Sequence, residues 1–194
     1  MNTLRTRSKR VLNLFVFIVL VSNLIQAQEL ALANNESTLT VLGTSNIHDW
    51  HLEAENQTGS IKFKDLETCQ IEAITLTIEA EGLKSGKNAM DKNTFKALNT
   101  DDYKTILFQL AEVKNVTNKE SGKFEVSTLG DLTIAGVKKR IPLNFHISIT
   151  GSTVTLTGEK SIKMTDFNVD PPKALFGTIT TGDELTIKFS TLFK

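Results

Sequence analysis

The stretch "GTSNIHDWH", Gly43 to His51, gathers two of the three histidines, an aspartate and the single tryptophan. Three chemistries suit such a segment. A metal site needs ligands that converge on one point at about 2.0–2.2 Å. His48 and His51 are three apart, a spacing that converges on a helix and diverges on a strand. The third histidine, His146, lies in a distant strand-like segment. A His48–Asp49 dyad fails for a related reason, because neighbouring strand residues face opposite ways. No Ser stands in a G-x-S-x-G elbow, and nothing pairs Cys69 with a histidine. Metal-assisted catalysis through His48 or His51 is therefore the weakest reading. Trp50 reads better as an apolar filler at the end of a barrel, with His48 as a polar group near its mouth. No metal, catalytic residue or cofactor is expected.

The elements that position this stretch follow period two. "STLTVLGTSNI" puts Leu39 and Val41 on one face, and "IEAITLTIEAEGL" puts Ile74, Leu76 and Ile78 on one face. In "RIPLNFHISIT", Ile141, Leu143, Phe145, Ile147 and Ile149 alternate with Asn144, His146, Ser148 and Thr150. "STVTLTGEKSIKM" and "DELTIKFSTLF" repeat the theme. Such alternation marks half-buried antiparallel strands, and Thr, Ile, Val and Phe suit a pleated surface. Turn signals separate about eight strands between Ser37 and Phe193. One segment departs: "KNAMDKNTFKALN", 87–99, spaces its apolar residues as a short helical insert. Pro142 lies within an alternating run and implies an edge or strand-start position. Eight antiparallel strands with one helical insert predict an all-β fold, a closed or nearly closed barrel, since closure removes exposed edges. A barrel of that size holds one small ligand or a solid core.

The chain has 194 residues, so one domain is expected. Residues 1–27 carry Arg5, Arg7, Lys9 and Arg10 and no acid, which leaves 18 basic against 22 acidic side chains in the remainder. That acidic body argues against nucleic acid. "MNTLRTRSKR", the 15-residue apolar run "VLNLFVFIVLVSNLI" and small Ala27 have the layout of a secretory signal peptide, cleaved after residue 27. The run is shorter than the ~20 residues that span a membrane comfortably, so no stable transmembrane segment is expected after cleavage. The location implied is the periplasm or outside the cell. Residues 28–36 read as a polar leader, and 37–194 as the folded domain. The lone Cys69 forms no internal bridge, so the core alone holds the fold.

Four segments, in order, resemble the YceI-like, polyisoprenoid-binding family: "GTSNIHDWHLEAENQTGSIKF", "MDKNTFKALNTDDYKTILFQLAEV", "GDLTIAGVKKRIPLNFHI" and "IKMTDFNVDPP". They span about residues 37–193. The chain has Tyr103-Lys104 where that family usually has Tyr-Pro, and its "HDW" form belongs to a divergent branch. The resemblance implies an extended, lipocalin-like antiparallel β-barrel, no catalytic activity, and an amphiphilic lipid partner in an internal tunnel: an isoprenoid quinone, a polyprenyl chain or a fatty acyl chain. The wall residues expected are Ile74, Leu76, Ile78, Met90, Phe95, Phe108, Phe145, Ile147, Phe167 and Phe189, with His48 and Asp91 toward a polar head group. Met90 and Phe95 are included because an insert over a barrel mouth can act as a lid. The same alternation would equally fill a solid barrel, a structural or interaction protein of the cell envelope with no small ligand. Barrels of this kind often pair, so a homodimer is compatible with the reading.

Overall fold

The structure is a computed structural model and describes residues 28–194; the signal-peptide reading of 1–27 lies outside them. The elements run β1 (Gln28–Ala31), β2 (Thr38–Ser45), β3 (Trp50–Ala54), β4 (Gln57–Asp65), β5 (Gln70–Glu79) and β6 (Leu83–Lys84). Helix α1 (Asn88–Leu98) follows, then β7 (Thr105–Glu120), β8 (Lys123–Ile134), β9 (Val137–Thr150), β10 (Thr153–Lys163), β11 (Lys173–Ala174) and β12 (Ile179–Phe193). The twelve strands, rather than about eight, form one curled antiparallel sheet in the order β1-β4-β5-β7-β8-β9-β10-β12-β2-β3-β6, with β11 added on β12. The surplus comes from short pieces, β1, β6 and β11, and from a strand that turns a corner between Ala54 and Gln57.

Residues 28–36 are more than a leader. β1 pairs with β4, and Ala31 and Lys194 exchange main-chain hydrogen bonds of 3.1 and 2.9 Å. This short strand joins β4 to the end of β12, and the sheet closes on itself there. Leu30 is buried as a result.

The β8–β9 hairpin turns on Ala135 and Gly136, with φ of 45° and 75°. Two positive φ values give the type I′ turn that matches strand twist. Glycine tolerates this conformation, whereas Ala135 carries strain.

β7 breaks the alternation. Its bulges between Leu110 and Glu112 and between Val113 and Asn115 each insert a residue. Phe108, Leu110, Val113 and Val116 therefore all pack toward the core at spacings of two, three and three.

Pro142 sits where expected of an edge residue. β9 pairs with β8 along its whole length, but its pairing with β10 stops at Phe145↔Gly158. Pro142 lies in the splayed part, where no strand awaits its missing N–H. The segment after β10, with Met164, Phe167 and Val169 buried, packs with Leu132, Ile134 and Ile162 beside this splay.

The interior has two unlike ends. Around Ile61, Phe63, Phe124, Val126, Ile147 and Val154 it is filled with side chains exposed by 4% or less. Toward α1 it opens into a cavity.

Candidate functional site: an apolar cavity beneath the helix

The open end encloses a cavity of about 500 Å³. β2, β3, β5, β7, β8, β9, β10 and β12 send side chains into it, and α1 covers one side. The helix does so because Met90, Thr94, Ala97 and Leu98 fall at i, i+4, i+7 and i+8, which is one helical face. Asn99, left-handed at φ 50°, ends the helix.

Two aromatic walls depend on glycine for space. The ring of Phe108 lies over Gly130, where a Cβ would come within 2.1 Å of it. The indole of Trp50 lies over Gly43 in the same way, and its Nε1 donates to the Thr44 carbonyl at 2.9 Å. Only a hydrogen at those positions lets the rings lie flat against the opposite strand.

Nine of the twelve expected residues line the cavity: Ile74, Leu76, Ile78, Met90, Phe108, Phe145, Phe167, Phe189 and His48. Three do not. Ile147 pairs with Phe124 and Leu156 one step into the filled end; alternation gave the right face but not the height along the barrel. Phe95 lies one residue beyond the helical face that carries the wall, about 100° round, and Lys84 Nζ sits 4.6 Å above its ring. Asp91 turns away from the cavity and accepts hydrogen bonds from the Ser85 backbone N–H, 2.8 Å, and hydroxyl, 2.6 Å. Burial raises its pKa, but those two bonds, with Lys84 nearby, outweigh it and hold the carboxyl below its ordinary value. Asp91 anchors the loop before the helix.

The "GTSNIHDWH" stretch forms part of the mouth. It is not a continuous strand: 46–49 turn between β2 and β3. Ser45 closes the turn, its hydroxyl donating to the His48 carbonyl at 2.7 Å and accepting from the His48 N–H at 3.2 Å. His48 Nδ1 lies 2.9 Å from its neighbour's carbonyl at Asp49. Asn46 ties this turn to the loop before β12, donating to the Thr178 carbonyl at 2.9 Å and accepting from the Thr180 N–H at 3.0 Å. Among the described residues no three His, Cys, Asp or Glu side chains group closely enough to hold a metal, and no helix is long and apolar enough to cross a membrane. Cys69 is fully buried in the filled end, and burial pushes its thiol up to about 12, which leaves it unreactive.

Several wall residues were not anticipated. Leu185 and Ile187 share the inward face of β12 with Phe189, and the alternation of "DELTIKFSTLF" signals them. Lys160 lines the cavity as well; extending the Leu156, Gly158 alternation by one step reaches it.

The geometry is that of an apolar cavity in a curled sheet. Residues 30–193 match the family described as YceI-like domain. The chain belongs to the YceI-like family. No curated protein matches it. Among solved structures, Burkholderia cenocepacia BcnA is similar at 19% identity and a TM-score of 0.67, over 83% of this chain and 98% of that one. A polyisoprenoid binding domain from Saccharophagus degradans is similar at 12% identity and 0.68, over 85% and 97%. A Campylobacter jejuni YceI protein is similar at 18% and 0.55, over 72% and 82%. At these identities the structures establish the fold, and the YceI-like sheet curls here around the cavity described above.

Proposed function

We propose that this YceI-like protein is a binding protein and not an enzyme, and that it sequesters or carries one long isoprenoid or fatty acyl chain in the cavity. The observation that carries the reading is an apolar cavity of about 500 Å³, inside the roughly 300–1,000 Å³ range of small-molecule sites. Burying a chain yields about 0.8 kcal/mol per CH₂, so sixteen carbons contribute on the order of 12 kcal/mol. Association costs of roughly 4–15 kcal/mol oppose this, and micromolar binding requires a net of about 8 kcal/mol. Apolar contact alone can therefore reach micromolar affinity only if the costs lie at the low end, which a preformed cavity favours. The likeness to a domain described as polyisoprenoid binding supports the same ligand class.

The reading also places the protein in the periplasm or outside the cell, on the strength of the basic and apolar N-terminal layout. Intact mass of protein recovered from the host envelope tests that part, with a chain beginning at Gln28 expected. For the ligand, native mass spectrometry of protein made in its own host, followed by organic extraction, should reveal a long-chain lipid in the protein peak. Absence of any bound lipid, together with no uptake of a prenyl quinone or a fatty acyl probe, would overturn the ligand reading and favour a structural or interaction role in the cell envelope.

A further inference from the structure

Resting on that reading, we infer that the ligand carries an anionic head group, a carboxylate or a phosphate, and that Lys160 receives it. On β10, Val154, Leu156, Gly158, Lys160 and Ile162 share one face, and their partners across β12 are Phe193, Thr191, Phe189, Ile187 and Leu185. Apart from Val154, which lies in the filled end, every residue of both sets except Gly158 lines the cavity. Lys160 is thus the one ionisable side chain on an otherwise uncharged inward ladder. Its neighbours Glu159 and Lys163 fall on the other face, where Glu159 lies 3.7 Å from Lys188.

The remaining charges of the cavity point the same way. Its other ionisable lining residues are Lys87, Lys173 and His48, and no Asp or Glu among the described residues lines it. In a domain with an acidic body, a cavity lined by three lysines and no carboxylate attracts an anion. Lys160 also stands in the splay, beyond Gly158↔Phe145, where β10 has lost its β9 partner. An ammonium there keeps water on one side while its stem covers apolar wall. A ligand head that displaces that water must replace its hydrogen bonds, and an anion does so with a charge-assisted bond. A neutral head replaces them less well, so discrimination by charge is the expected result.

The test uses the intact protein freed of bound lipid and a neutral fluorescent probe that reports displacement. Two matched pairs are compared, palmitate against hexadecanol and geranylgeranyl phosphate against geranylgeraniol. In the unaltered protein the anionic member of at least one pair should bind about tenfold or more tightly than its alcohol, the range of a charge-assisted hydrogen bond. Which pair shows the difference distinguishes a carboxylate from a phosphate. Lys160→Met should bring the anion-to-alcohol ratio close to one, and Lys160→Arg should retain the preference. Thermal melting checks that each variant is folded, with Lys160→Gln as the second neutral variant. Ratios near one in the unaltered protein, or a preference that survives Lys160→Met, would overturn the inference and leave lipid binding intact. Failure of all four compounds to bind would remove the lipid-binding reading and this inference with it.

Discussion

The two ends of the barrel are built from the same alternating strands and differ in what occupies the space between them. At the filled end, Phe63 and Phe124 converge with Ile61, Val126, Ile147 and Val154, and these side chains are almost wholly excluded from solvent. At the open end, Leu76, Ile106, Leu185 and Ile187 face one another and are only partly buried, leaving room for a guest. Alternation decides which side chains point inward. The sizes meeting at each level, and where the strands splay, decide whether the interior is packed or hollow.

Matched truncations give the largest contrast. Phe63→Ala at the filled end should cost about 3–5 kcal/mol in chemical denaturation, the range for a large core ring, and leave chain affinity nearly unchanged. Leu76→Ala at the open end should cost about 1–2 kcal/mol, below the usual Leu→Ala range because that side chain already faces a cavity, and should weaken binding instead. Equal costs would erase the distinction.

Asp91→Ala removes the acceptor for both Ser85 donors and should lower stability by about 1–3 kcal/mol. Since α1 forms a wall of the open end, hydrogen exchange should quicken in 85–98 and not in 123–127. Gly130→Ala sets a methyl against the Phe108 ring and should cost a similar amount, about 1–3 kcal/mol. The displaced ring would enter the cavity, so chain binding should weaken more than stability does. Unchanged affinity would show that Phe108 is ordinary core.

Acid should act more weakly, and at the open end. Asp183 accepts from the Thr165 hydroxyl at 2.7 Å and backbone N–H at 2.9 Å, which hold its carboxyl below the ordinary 3.8. A depressed carboxyl stabilises the fold above its unfolded value, and that contribution fades as pH falls through the folded one. Below about pH 4, exchange at 164–169 should therefore quicken before 123–127 at the filled end responds.

Much of this comparison could be read in the residues beforehand. Period two in "ITLTI" and "RIPLNFHISIT" placed Ile74, Leu76, Ile78 and Phe145 on the inner face, and Pro142 announced a free stretch of β9. The height at which a residue sits was not legible, because it depends on strand register; Ile147 shares a face with Phe145 yet lies in the packed end. Nor were the β7 bulges, which turn period two into spacings of three and conceal Val113 and Val116. Phe95 and Asp91 were lost to helical phase and to a local carboxylate bond. Residues 28–31 looked polar, yet as a short strand they close the sheet.

The central claim, that a chain occupies the open end and stops at the packed one, is tested most directly by methyl NMR with a perdeuterated sixteen-carbon chain added stepwise. The account predicts shifts at Leu76, Ile78, Ile106 and Ile187, with Ile61, Val126, Ile147 and Val154 unmoved. Shifts concentrated in the second group, or none in the first at saturating chain, would contradict it.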